Sequence, residues 1–348
     1  MADPAEASQD VCWATKNVEF RRQVAWRSSL DRAGPQRETS NRIGDRLAPT
    51  IVIGILTWHG YDLTKACLES LKTLSDWPIP TLVVDNGSGT GEGVRLAQEF
   101  GPPVESIELA EDGGVPTGYN AAMRWASDRH ADYVLLLNND TIISDPAMIR
   151  LLAAAATDRV AAVGPIVRDP DGAVHSAGGF LRMWKARSDH FKEAQTPDRP
   201  YSAEWLDGPC LLVSVDAARR IGGLEPTYFL YWEELDWCVR ARHAGYQCVV
   251  QPLTSITHAR SSRDPSAEAR YLMLRNQILF MRRNGSFSQN LTSFTWLILA
   301  RIPKQLVRSV GREGLGTALR AASRGIAWNL ALALRRRRWR LPADGPDI

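Results

Sequence analysis

Leu135-Leu136-Leu137-Asn138-Asn139-Asp140 is an apolar run that stops abruptly at two amides and a carboxylate. From Tyr133 to Leu137 every residue is apolar or aromatic, without the alternation of a half-exposed strand. The segment therefore predicts a central strand covered on both faces. Such strands build parallel sheets, and in open α/β sheets ligands sit beyond the carboxyl ends of the strands. Asn138, Asn139 and Asp140 fall at that end, and Asp140 reads as a carboxylate placed to hold a metal and its bound anion. A turn or cap role is the competing reading for one acidic residue after a strand. Asp145-Pro146 reads as an N-cap followed by proline at the first helical position, which keeps the polar loop short.

Working outward, Ile51-Val52-Ile53-Gly54-Ile55-Leu56 predicts a second buried strand, and Leu63, Cys67, Leu71 and Leu74 then recur at helical spacing. Thr81-Leu82-Val83-Val84-Asp85 predicts the next strand, closed by the turn Asn86-Gly87-Ser88-Gly89. This β-α-β order implies a parallel sheet with right-handed crossovers. Residues 160–167 and 210–215 read as further strands, separated by a charged, glycine-containing section expected to form flaps. Helices are expected over residues 121–127, 232–243 (closed by a left-handed Gly245) and 266–283. Beyond Gly285 the β pattern ceases, leaving the apolar block 291–300 and a basic helical tail. The expected organisation is an extension over residues 1–49 without sustained periodicity, a catalytic-sized α/β domain over 50–285 and an amphipathic tail over 286–348.

The 348 residues carry a net charge of +3, distributed unevenly. Between Arg301 and Arg340 eleven Arg and Lys face the single Glu313, so this tail carries +10 and the remainder −7. A polyanionic surface is the natural partner, with a solvated charge run as the bland alternative. Leu315, Leu319, Ile326, Leu330 and Leu334 can share one side of helical segments, with Arg308, Arg312, Arg320 and Arg324 beside them. Arg335 to Arg338, Trp339 and Arg340 add a polybasic patch and an interfacial aromatic. That pattern predicts attachment to an anionic membrane surface, and no nucleic-acid partner is expected. No segment reaches the roughly 18 apolar residues of a membrane span, and the amino terminus lacks the apolar core of a signal peptide. Cys12, Cys67, Cys210, Cys238 and Cys248 are scattered without a Cys-x-x-Cys pair, which argues against a disulfide framework or a cysteine zinc site and for a reducing cytoplasm.

Three further clusters carry chemistry. Asp85, at a strand end, can accept the imide N–H of uracil or thymine; an Asx turn is the structural alternative. Asp112-Gly113-Gly114-Val115-Pro116-Thr117-Gly118-Tyr119-Asn120 has glycines that would let backbone approach a bound group. Tyr231-Trp232-Glu233-Glu234-Leu235-Asp236 puts three carboxylates in a first helical turn, with Arg240 one turn beyond Asp236 as a same-face ion pair.

Taken in order, VVDNGS (83–88), LLLNND (135–140), WLDGPCLLVSVDAARRIGGLEPTYFLYWEELDWCVRARHAGY (205–246) and RNQILFMRRNG (275–285) resemble inverting family 2 glycosyltransferases of GT-A fold, in particular the bacterial rhamnosyltransferase-like branch. The resemblance implies a central, mostly parallel sheet flanked by helices. It implies a UDP- or dTDP-sugar donor, dTDP-rhamnose first, and a cell-envelope or lipid-linked glycan acceptor at the inner face of the cytoplasmic membrane. By it Asp85 meets the base, Thr57 the base and ribose, and Gly114, Gly118, Asn120, Asn138, Asn139 and Arg275 the rest of the donor; Arg275 could instead brace the fold. Asp140 would hold Mg2+ or Mn2+ with His258 as a further ligand. Glu234 falls on the catalytic base, with Glu233 as its partner and Asp236 nearby.

Three positions depart from the family pattern. Asn138 replaces the first carboxylate of Asp-x-Asp, Glu234 replaces Asp, and Asp112 stands where relatives carry Asn. The rival enzyme class, nucleotidyltransferases that make sugar nucleotides, needs a basic glycine-rich loop after the first strand, where Thr57-Trp58-His59-Gly60-Tyr61 stands instead. A non-enzymatic scaffold is disfavoured by the joint presence of Asp85, Asp140 and Glu234.

Overall fold

A computed structural model describes residues 48–259, 266–304 and 315–338. The extension expected at the amino terminus lies outside these residues up to Leu47, as do Arg308, Arg312, Trp339 and Arg340. The described chain runs β1 (Ile51–Thr57), α1 (Tyr61–Leu71), β2 (Thr81–Asp85), α2 (Glu92–Phe100), β3 (Val104–Glu108), α3 (Gly114–Asp128), β4 (Tyr133–Asn138), β5 (Thr141–Ile143), α4 (Met148–Ala155) and β6 (Val160–Arg168). The flap strands follow: β7 (Val174–Ser176), β8 (Gly179–Arg182), β9 (Arg187–His190) and β10 (Tyr201–Ala203). The chain then returns through β11 (Cys210–Ser214), α5 (Val215–Ile221), α6 (Glu233–His243), β12 (Gln247–His258), α7 (Ala267–Asn284), α8 (Phe287–Trp296) and α9 (Leu315–Arg338).

Eight strands line up as β10-β12-β6-β11-β4-β1-β2-β3, with β5 added to β12 and β7 to β6. β3, β2, β1 and β4 are mutually parallel, β11 runs antiparallel between β4 and β6, and β12 is parallel to β6. This is the mixed, mostly parallel sheet of a GT-A fold. Its unbroken apolar strands follow from burial on both faces. Val52, Leu82, Val134 and Leu136 pack under α3, whereas Ile53, Ile55, Val83, Leu135 and Leu137 pack with Cys67, Leu68 and Leu71 of α1 and Met148 and Leu152 of α4.

Two helix starts differ from expectation. α3 begins at Gly114, so the glycine segment is itself the first helical turn, where Pro116 needs no N–H partner. α4 starts at Met148, after Asp145 has accepted the Ala147 N–H at 2.9 Å in a turn of its own. A Cβ added at Gly118 would lie 2.1 Å from Leu56 Cδ1, so that glycine lets α3 settle onto β1.

The loop before α6 is the least relaxed part of the backbone. Phe229, Tyr231 and Trp232 have φ of 65°, 70° and 77°, a region that L side chains disfavour. It is held from two sides. Val115 N–H donates to Phe229 O at 2.7 Å, and Gly114, itself at φ 74°, leaves room where a Cβ would come within 2.2 Å of that oxygen. From α7, Asn276 Nδ2 donates to the carbonyls of Tyr228, Leu230 and Tyr231 at 2.8, 2.7 and 2.8 Å, while Arg275 Nη2 reaches Thr227 O and Tyr228 O. Arg275 Nε donates to Asn276 Oδ1 at 2.8 Å, fixing the amide's orientation.

α9 packs on α7 through Ala321, Trp328 and Asn329. Asn329 Nδ2 donates to Arg275 O at 2.9 Å, Arg282 Nη1 to Asn329 O at 2.7 Å, and the Arg275 guanidinium lies 4.7 Å from the Trp328 ring centre. The opposite side of α9 exposes Leu319, Ile326, Leu330 and Leu334. Phe287, Leu291, Ile298 and Leu299, on α8 and the turn after it, are exposed as well. Among the described residues no helix is long and apolar enough to cross a membrane.

Because Asn276 is fully buried and its amide serves three carbonyls, Asn276→Ala should lower unfolding stability by roughly 2–3 kcal/mol. Asn276→Asp, equal in volume but without the N–H donors, should be at least as harmful in urea denaturation. Wild-type stability in Asn276→Asp would show that the amide does not hold the loop.

Candidate active site

The carboxyl ends of β4 and β12, the segment leading into β11 and the amino end of α6 meet at a cavity of about 170 Å³ lined by Tyr119, Asn138, Asp207, Gly208, Glu233, Glu234 and His258. Antiparallel pairing of β5 with β12 sets Thr141 opposite His258, and this register brings the preceding residue, Asp140, to the imidazole. His258 Nε2 lies 3.1 Å from Asp140 Oδ1, and Ala259 N–H donates to Asp140 O at 2.9 Å. Burial opposes a charge on His258, but the hydrogen bond and charge of Asp140, with Asp207 and Asp169 adding to them, lift the imidazole above its ordinary range. His258 Nδ1 is buried without a hydrogen-bond partner. A carboxylate and an imidazole joined in this way form a donor set able to take a divalent cation, with a bound diphosphate supplying further oxygens.

Glu233 and Glu234 occupy the first turn of α6. The helix dipole favours their charge there, yet burial opposes it more strongly. Burial pushes Glu233 up to about 7, and burial followed by the charge of Glu233 holds Glu234 well above the carboxylate range. One oxygen of each, Glu233 Oε2 and Glu234 Oε2, is buried with no hydrogen-bond partner. Two adjacent carboxyls that resist joint ionisation, each with an open acceptor, make one proton-accepting centre.

Other expected site residues have their polar atoms engaged within the protein. Asp236 is the clearest correction to a catalytic role: it is fully buried and absent from the cavity lining. It accepts from Tyr228 Oη at 3.0 Å, Arg240 Nε at 2.9 Å and Asn284 Nδ2 at 2.9 Å, with Arg283 Nε at 3.4 Å, so it ties α6 to α7. Arg275 is likewise turned to the loop carbonyls described above and braces the fold. Asn120 donates to Leu224 O and accepts from Leu224 N, both at 2.8 Å. Gly114 and Gly118 serve the close packing of α3. Thr57 Oγ1 donates to Glu92 at 2.7 Å and accepts from Thr64 Oγ1 at 2.8 Å, leaving its hydroxyl occupied.

Asp85 sits opposite Thr57 across β1 and β2 but is buried under its turn, with Ser88 N–H at 2.9 Å on one oxygen and Ser88 Oγ at 2.7 Å on the other. Asp85 thus closes its own turn onto Ser88, three residues on, one residue beyond the reach of an Asx turn. Asn138 accepts from Tyr119 Oη at 2.7 Å, and Asn139 Nδ2 donates to Thr64 Oγ1 at 3.2 Å. Asp112 accepts from Asn86 Nδ2 at 2.8 Å and from Gly114 N–H at 2.9 Å, joining the β2 turn to α3. Residues not singled out from the sequence complete the site: Tyr119 and Asp207 line it, and Glu92 holds Thr57 and the Gly60 N–H. Glu92 stands five residues after Gly87 and no motif marks it.

Residues 52–222 match the model of Glycosyl transferase family 2. The chain is 27% identical over 227 residues to an N-acetylglucosaminyl-diphospho-decaprenol L-rhamnosyltransferase of Mycobacterium tuberculosis, covering 58% of this chain and 74% of that protein. It is 21% identical over 214 residues to the dTDP-rhamnosyl transferase RfbF of Shigella flexneri, covering 58% and 71%. In structure it is similar to the mannosyltransferase PcManGT of Pyrobaculum calidifontis, solved with GDP-Man and Mn2+, with a TM-score of 0.53 at 18% identity over 83% of this chain and 81% of that one. With the GT-A sheet and a cleft of this construction, residues 52–222 carry a family 2 glycosyltransferase domain, and the chain is a glycosyltransferase similar to bacterial rhamnosyltransferases.

Proposed function

We propose that this glycosyltransferase moves a sugar, dTDP-rhamnose being the first donor to try and a UDP-sugar the second, onto a hydroxyl of a cell-envelope or lipid-linked glycan with inversion at the anomeric carbon. The observation that carries the reading is the buried Glu233–Glu234 pair in the same cleft as His258 and its partner Asp140. Glu234 takes the proton from the acceptor hydroxyl as that oxygen attacks the anomeric carbon, while the bond to the diphosphate breaks on the opposite side. Burial raises the proton affinity of Glu234, and the adjacent charge of Glu233 adds to it. Asp140 and His258 would hold Mg2+ or Mn2+, which when bound supplies Lewis-acid neutralisation of the diphosphate. The thymidine donor rests on the name of RfbF and not on Asp85, whose oxygens are taken up by its turn. The acceptor class rests on the names of the bacterial relatives.

The exposed apolar side of α9, flanked by Arg320 and Arg324, supports a place at the inner face of the cytoplasmic membrane, where a lipid-linked acceptor would be presented. Packing on α7 and lying on a lipid surface use different sides of the same helix.

Glu234→Gln keeps size and polarity but removes proton acceptance, so turnover should fall at least ~100-fold while donor binding persists. In the wild type, kcat/KM should keep rising with pH beyond the ordinary carboxylate range, because Glu234 works deprotonated and burial, followed by the charge of Glu233, holds its titration well above that range. Near-normal turnover in Glu234→Gln would move the base elsewhere.

Asp140→Asn should weaken donor affinity and turnover together, and excess chelator should mimic it. Full activity in chelator would remove the metal from the scheme.

The intact protein should float with phosphatidylglycerol vesicles and lose that association in the double variant Leu330→Glu, Leu334→Glu, or in high salt. Equal flotation of the two proteins at low salt would exclude α9 as the attachment surface.

A further inference from the structure

A second cluster of ligating side chains lies in the flap, built from three segments distant in sequence. His175 in β7, His190 at the end of β9 and Asp207 before β11 each place one ligating atom within 4.8 Å of the other two. His175 Nε2 is 3.8 Å from Asp207 Oδ2. Two donors bound tetrahedrally to one zinc ion at about 2.1 Å would be roughly 3.4 Å apart, so closure needs movements of a few tenths of an ångström to about an ångström. His190 Nδ1 and Asp207 Oδ2 are both buried without a hydrogen-bond partner.

The surroundings complete the pattern. Asp169 Oδ1 lies 3.2 Å from His175 Nδ1, the nitrogen turned away from Asp207, so a carboxylate orients the imidazole from behind as outer partners of metal-bound histidines do. The His190 ring packs edge-on against Trp205 at 4.7 Å and His175 at 5.1 Å, which fixes its plane.

We propose that His175, His190 and Asp207 form a binding site for a d-block divalent cation, zinc first, distinct from the Asp140–His258 pair. Two imidazoles and one carboxylate suit zinc, cobalt or nickel and disfavour magnesium and calcium, which take oxygen ligands. The ion ties β7, β9 and the Asp207-Gly208 segment together, closing a flap that is otherwise held to the sheet by short strands. It also fixes a wall of the cleft, because a Cβ on Gly208 would stand only 4.0 Å from the carboxyl carbon of Glu234.

The test is titration of the metal-stripped, nucleotide-free full chain with Co2+ and Zn2+ alone, read by the visible absorption of bound Co2+, by calorimetry and by melting temperature. One equivalent should bind, give a d–d band of a four- or five-ligand site and raise the melting temperature. His190→Ala and His175→Ala should each weaken binding at least ~100-fold, and Asp169→Asn ~10- to 100-fold. Asp140→Asn should bind as the wild type does. Because a flap histidine could be needed for folding, circular dichroism of each metal-free variant accompanies the titration, and Asp169→Asn, which leaves all three ligands in place, provides the second arm. Failure of the wild type to bind an equivalent, unchanged binding in His190→Ala or Asp169→Asn, or loss of binding in Asp140→Asn would overturn the assignment.

Discussion

Two neighbouring carboxyls kept out of water at the start of one helix set the terms for the rest of this site. Glu233 and Glu234 gain from the dipole of α6 and lose more from burial, so their proton affinity rises above the ordinary carboxylate range. That position exists only because the chain enters α6 through Phe229, Tyr231 and Trp232 in left-handed conformations. Such a backbone does not persist alone. The Asn276 amide, the Arg275 guanidinium and the Val115 N–H hold its carbonyls, and Gly114 leaves the room they need. The position of the two side chains is thus maintained largely by hydrogen bonds from Asn276 and Arg275, which do not line the cavity.

The same division explains what was legible in the sequence. Strands buried on both faces leave unbroken apolar runs, so β1, β2 and β4 and the strand-end residues Asn138 to Asp140 could be placed from residue type alone. Helix starts were less legible: Gly113, Gly114 and Pro116 look like a loop, but a first helical turn has no internal partners for its N–H groups and tolerates them. Side-chain destination was least legible. Asp236 and Glu234 are both acids in one helical turn, yet the two-residue offset points one into a network with Arg240 and Asn284 and leaves the other at the cleft. Arg275 and Asn120 follow the same logic, since their partners Tyr228 and Leu224 are 47 and 104 residues away. The cluster of His175, His190 and Asp207 was invisible because flap strands assemble it, and cysteine spacing carries no information about histidines and carboxylates.

The carboxyl-terminal helix connects these levels. Through Asn329 it donates to the backbone carbonyl of Arg275, the residue whose side chain grips the Glu233 loop, and the Arg275 guanidinium lies against Trp328. One side of α9 is therefore part of the brace behind the acidic pair, while Leu319, Ile326, Leu330 and Leu334 face outward. A helix packed by one side and exposed by the other transmits only what its rigid-body position allows. A load on its outer side reaches the loop through the contacts at Arg275 and through the cluster of Tyr271, Leu272 and Ala321, against which Phe229, Leu230 and Tyr231 pack. The fold thus carries its outward apolar surface on the same helix that braces the unfavourable backbone ahead of Glu233.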